Sequence, residues 1–282
     1  GRDKRPFLFI IKLMQTFNTA DLHAIKTNDG LEDCIRQLQD IARSIASTPH
    51  LASNWFVRMT AACLLRGARH ADSLIALKDS LDSWLIVRSL LEGYALYSWI
   101  ASDPSKRDER IALYRNVAYV EAHTLRTRMG KYTGVPETDF SKSIKDAAQA
   151  FQKLSVKEGM KIAQGEEPYA ISYIERVTDK KIKQIFEELD KELDAGDIHK
   201  SIYELQYSMF SGYHHWNPLF FLVSDSNKFE FYDARPSDYG MSLSAFLGAF
   251  IGMCSLADKI LESKLGDKID AIQKRHENLI TP

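Results

Sequence analysis

Three features of the sequence predict an all-α fold, a multi-helix bundle. Glycine and proline are scarce, 14 and 8 in 282 residues, which argues against a protein of strands and tight turns. Apolar residues recur with a helical period along most of the chain, as at Leu31, Cys34, Ile35, Leu38, Ile41 and Ile45. Two segments, 81–100 and 241–257, are apolar nearly all round, which is the pattern of helices inside a bundle rather than on its surface.

Taken in order, residues 21–47 form the first helix, ended by Pro49. Asn54 is a capping residue for the next, which runs to Lys78. A third helix covers 80–101, and Asp103-Pro104 breaks it. Ser105 or Asp108 opens a more polar helix to Gly130. The loop KYTGVPETD follows, then a charged helix over 140–158 and a polar connection over 159–168. Residues 178–194 form an amphipathic helix with Ile182, Ile185, Phe186, Leu189 and Leu193 on one face. Asp197 or His199 opens the helix that ends at Asn217-Pro218. There the period changes, and 219–223 and 229–232 flank SDSNK as a short β-hairpin after Pro218. Residues 236–240 read as a turn and 242–264 as the buried helix, leaving 265–282 as a C-terminal helix or tail. With 1–20 as a peripheral segment, the whole of 1–282 reads as a single all-helical domain without internal repeats.

Composition excludes some classes of function. A 45% hydrophobic chain can build a core without disulfide or metal, and a net charge of −1 gives no global attraction for nucleic acid. Cys34, Cys63 and Cys254 are isolated from one another, so neither a zinc site nor a disulfide framework is expected, and a reducing cytoplasm suits them. No cofactor is expected either, since no phosphate-binding loop, dinucleotide fingerprint or Glu-x-x-His pair occurs. The opening GRDKRP, without Met, reads as a trimmed start or a tag remnant. Residues 241–257 hold 17 uncharged positions with Gly248 and Gly252 in GxxxG spacing. That is the lower limit of a membrane span, but several serines and the lack of a second candidate favour a core helix over a membrane role.

The candidate site is drawn from two polar stripes on apolar helices. Arg88 and Glu92 are four apart in LDSWLIVRSLLEGYALYSWIA, hence on one helix face. Burying them costs several kcal/mol unless they pair with each other or with a ligand. In YSMFSGYHHWNP, Tyr207, Ser211 and His215 are spaced i, i+4, i+8 and form one stripe. His215 sits near the helix C-terminus, whose dipole favours the imidazolium, and a histidine titrating near neutrality suits general acid–base work. The competing reading makes both stripes structural.

The same two segments, RSLLEGYALYSWI and YSMFSGYHHWNP, resemble an uncharacterised bacterial all-helical family of unknown function. Its pattern is an R-S-L-hydrophobic-E helix and a Y-x-x-x-S-x-x-x-H helix end. Arg88, Ser89 and Glu92 match the first part; Tyr207, Ser211 and His215 match the second. The resemblance runs over 64–217 and implies a shared architecture and polar cluster, with no activity attached. The Arg-to-His spacing of helical defence nucleases occurs at Arg43 and His50, where Pro49 breaks the helix, and is set aside.

Two functions therefore stand open. In one, Arg88 holds a phosphodiester, His215 acts as base on a 2′-OH, and Glu92, Tyr207 and Ser211 complete a metal-independent RNA-cleaving or RNA-modifying site of a defence or toxin protein. In the other, a non-enzymatic module uses the cluster for structure or a small anion and its surface for a partner protein or a second copy of itself. Two smaller features accompany them. Arg66, Arg69, His70 and Asp72 form a polar knot. Arg107, Arg110, Arg115, Arg126 and Arg128, interleaved with Tyr114, Tyr119 and Tyr132, could contact RNA.

Overall fold

A computed structural model describes residues 21–47, 54–78, 80–115, 117–118, 177–178, 180–214, 222–225, 228–231 and 236–280. The chain divides into two compact units, one of 1–102 with 185–282 and one of 103–184.

The described part of the first unit is helical apart from one hairpin. Helix α1 (Asp21–Ala46) buries all six residues of its predicted stripe, from Leu31 to Ile45. Helix α2 (Trp55–Ala76) begins where the sequence predicts, with the Asn54 side chain accepting the Phe56 N–H at 2.8 Å. Helix α3 (Ser83–Ser102) follows, and its buried Val87, Leu91, Tyr94 and Ser98 place it inside the bundle. The amphipathic α4 (Ile182–Glu192) buries Ile185, Phe186 and Leu189, and its first residues lie across the boundary between the units. Next come α5 (Ile198–Ser201), one wide π-helical stretch (Ile202–Tyr207) and α6 (Ser208–His214). The predicted hairpin is present as β1 (Leu222–Asp225) antiparallel to β2 (Lys228–Phe231), with Leu222 opposite Phe231 and Asp225 opposite Lys228. Helices α7 (Pro236–Leu261) and α8 (Gly266–Ile280) complete the order.

The predicted turn at 236–240 is corrected. These residues are the first turn and a half of α7. Proline suits the first helical position because its missing N–H is one that the helix could not use. The close approach of Asn28 calls for glycine at 240 inside the helix: a Cβ there would stand 2.6 Å from Asn28 Oδ1, and the Asn28 amide donates to the Pro236 carbonyl at 2.8 Å.

Helix α7 is the centre of the unit and packs on α1, α2, α3 and α8. It is long and apolar enough to cross a membrane, yet 67% of its most apolar 18-residue window is buried within the protein. Its polar groups pair inside the bundle: Ser242 Oγ lies 3.1 Å from Ser83 Oγ, and Ser244 Oγ lies 3.0 Å from His276 Nε2.

In the second unit a helical segment covers 107–115. Asp103 precedes it, accepting the Ser105 N–H and hydroxyl and pairing with Lys106, so its carboxyl is held well below the usual range. Arg110 in this segment is buried. The predicted helices over 119–176, the segment 1–20, and Arg126 and Arg128 lie outside the described residues.

Candidate functional site

Arg88 and Glu92 face the same way from α3, as their spacing requires, with Arg88 Nη2 3.2 Å from Glu92 Oε1. The same oxygen accepts the Tyr207 hydroxyl at 2.9 Å. The Arg88 guanidinium carbon lies 5.7 Å from the centre of the Tyr207 ring, within cation–π range. Three of the predicted site residues therefore form one cluster. The Arg88 side chain is only 16% exposed, while that of Glu92 is 36% exposed. Arg88 Nε is buried and has no hydrogen-bond partner among the described residues. Burial pushes the Tyr207 phenol up to about 12, and the Glu92 charge adds to this while Arg88 opposes it. Tyr207 is therefore a hydrogen-bond donor throughout the neutral range.

The π-helical stretch aims Tyr207 at this cluster. In an unbroken α-helix, two residues eight apart such as His199 and Tyr207 would differ by about 80° in direction. The Ser208 N–H instead reaches back to the Tyr203 carbonyl, five residues away, and its hydroxyl bonds the same carbonyl at 2.9 Å. A wide turn takes in one extra residue, which turns the following helix back by about 100° and returns the two side chains to nearly one face. Both then meet α3: Tyr207 at Glu92, and His199 at Tyr94. Further along, Phe210 meets Trp84 edge-on with ring centres 5.6 Å apart. As numbers rise along α3, partners fall along the other helix, so the two pack antiparallel.

His199 belongs to a second polar group that the sequence reading missed. Asp190 at the end of α4 accepts the His199 N–H and the His199 Nδ1–H at 2.8 Å each, and the Lys200 N–H at 2.9 Å. A carboxylate only accepts, so the neutral imidazole carries its proton on Nδ1. His199 Nε2 then accepts the Tyr94 hydroxyl at 3.0 Å. Asp190, His199 and Tyr94 are all buried. Burial alone would raise the Asp190 carboxyl, but hydrogen bonds from the His199 side chain and from the His199 and Lys200 backbone bring it below its ordinary value. Burial pushes the Tyr94 phenol up to about 12. The helix opens at Asp197, one of the two predicted positions. Asp197 holds the capping position but makes no side-chain cap, and Asp190 bonds the N–H groups of the second and third helical residues in its place. Nothing in the local pattern marks Asp190 for this role, because it occupies an amphipathic helix otherwise read as a solvated surface.

The remaining predicted residues fall differently. Ser211 is half-buried on α6, and no hydrogen bond joins it to Arg88, Glu92 or Tyr207 among the described residues. His215 lies outside the described residues. In the polar knot, His70 is half-buried and lies 3.1 Å from the Ser89 hydroxyl, next to Arg88 in sequence. Burial lowers the His70 pKa, and the Arg66 charge lowers it further. Asp72 instead takes Gln39 at 2.8 Å and Arg43 at 3.3 Å. No group of three potential metal ligands occurs among the described residues.

Comparison with curated proteins and with solved structures gives no match. A family model matches residues 50–230, a span that holds both segments carrying the resemblance. The chain thus belongs to the family of unknown function DUF5677.

Proposed function

We propose that Arg88, Glu92 and Tyr207 bind a small anion that also carries a hydroxyl or N–H donor, such as a phosphate monoester, in a helical binding module of the cytoplasm. The observation that carries this reading is the buried Arg88 Nε, which has no acceptor among the described residues. An unsatisfied buried donor costs about 1–3 kcal/mol, more for a charged group, and an anionic oxygen is the partner that removes the cost. The Glu92 carboxylate beside it disfavours a fully ionised ligand and favours one that donates to Glu92 while accepting from Arg88. The three free cysteines fit a reducing compartment.

The reading is tested by calorimetric titration of the full chain with inorganic phosphate and with a nucleoside monophosphate. Binding should weaken at least tenfold in Arg88→Lys, which keeps the charge and loses the planar fork, while the melting temperature stays within a few degrees. Absence of binding to both ligands in the wild type, or unchanged binding in Arg88→Lys, sinks it. The RNA-cleaving reading shares Arg88 and adds His215 as base. It takes over if the wild type cleaves RNA and His215→Ala abolishes cleavage while phosphate binding persists.

A further inference from the structure

Helix α2 turns one face to the core through Phe56, Met59, Leu64, Ala68, Ala71 and Leu74. Its opposite face carries Trp55, Arg58, Leu65, Arg66 and Arg69, all exposed. The spacings of 3, 7, 1 and 3 keep these five on one stripe about 20 Å long. Trp55 and Leu65 are the large hydrophobic residues that stand out as exposed among the described residues, at 46% and 42%. The Arg58 guanidinium lies 6.0 Å from the centre of the Trp55 ring. Arg66 and Arg69 make no ion pair among the described residues. The single carboxylate on α2, Asp72, sits at the edge of the stripe and is engaged by Gln39 and Arg43. The face therefore keeps a local positive charge on a chain whose net charge is −1.

We propose that this face of α2 binds single-stranded nucleic acid, with Arg66 and Arg69 on successive phosphates and Trp55, 46% exposed, offering a ring for a base to stack on. Guanidinium forks match phosphate oxygens bidentately. An exposed aromatic beside a row of cations is the combination that holds single strands without regard to sequence. An acidic protein segment matches the cations but brings no base for the Trp55 ring, whereas each nucleotide carries both a phosphate and a stacking face. A membrane surface fits less well too, since an interfacial helix must sink a continuous apolar face and the apolar face of α2 is spent on the core. The site uses none of Arg88, Glu92 or Tyr207, and it stands whether or not they bind an anion.

The test is fluorescence anisotropy of the full chain with a labelled oligouridine of about 12 nucleotides, repeated across a salt series. The wild type should bind, and binding should fall steeply with salt. Arg66→Gln combined with Arg69→Gln should weaken binding at least tenfold and lower the slope of log K against log salt by about 1.4, the loss expected for two phosphate contacts. Trp55→Leu should weaken binding at every salt concentration and leave the slope unchanged. These positions are exposed, so each variant should melt with the wild type. The proposal is overturned by absence of wild-type binding, by an unchanged affinity in the double arginine variant, or by equal affinity for polyglutamate or for phosphatidylserine vesicles. The last result would reassign the face to an acidic protein or a membrane.

Discussion

The Tyr207 hydroxyl donates to Glu92 Oε1 at 2.9 Å, joining helices through residues 115 positions apart. The bond closes a cluster that Arg88 enters from four residues earlier on α3. Tyr207→Phe removes the bond while leaving the ring under Arg88, and should cost about 1 kcal/mol in urea denaturation at neutral pH. Because the phenol is raised from 10.0 to about 12 in the folded protein, its contribution is present below pH 10 and is lost as pH rises through 12. The stability gap between wild type and Tyr207→Phe should close over that window.

Asp190 satisfies three buried or half-buried donors on α5. Asp190→Ala leaves all three without their acceptor and should cost about 3 kcal/mol or more. Asp190→Asn keeps one acceptor oxygen and should lose less. Hydrogen exchange of the His199 and Lys200 amides, followed by NMR, should accelerate in the alanine variant. The carboxyl titrates below its ordinary value, so the stability it supplies is present above that value and is lost as pH falls through the lowered one.

Gly248 and Gly252 share a spacing and not a role. A Cβ on Gly252 would stand 2.8 Å from the Tyr94 ring, whereas one on Gly248 would meet nothing within 4 Å. Gly252→Ala should therefore destabilise by about 1–3 kcal/mol through overpacking. Gly248→Ala should stabilise by up to about 1 kcal/mol through helix propensity. Thermal unfolding of the two single variants should move in opposite directions.

His276 is buried against Ser244, and burial lowers its pKa from 6.5 to about 4. The unfolded chain takes up the proton first as pH falls, so stability is full above pH 6.5 and declines toward pH 4. The decline should reach about 3 kcal/mol. His276→Gln, which keeps a polar group for Ser244, should lack this component when denaturation midpoints are compared between pH 7 and pH 4.

The sequence by itself determined most of the described helices, the apolar stripe of α1, the Asn54 cap, a hairpin after Pro218 and the face shared by Arg88 and Glu92. Each of these is local: a period of 3.6 residues, a capping side chain or an i, i+4 spacing acts within one element. Turn-like composition misled at Pro236 and Gly240, where packing against Asn28 called for a small residue inside a helix. Only the tertiary structure decided that Tyr207 meets Glu92, that Asp190 caps α5, and that Tyr94 and His199 meet from 105 positions apart. Those meetings depend on the phase and burial of two packed helices. The wide turn over Ile202–Tyr207 changes that phase by the width of one residue, and the residue pattern carries no mark of it.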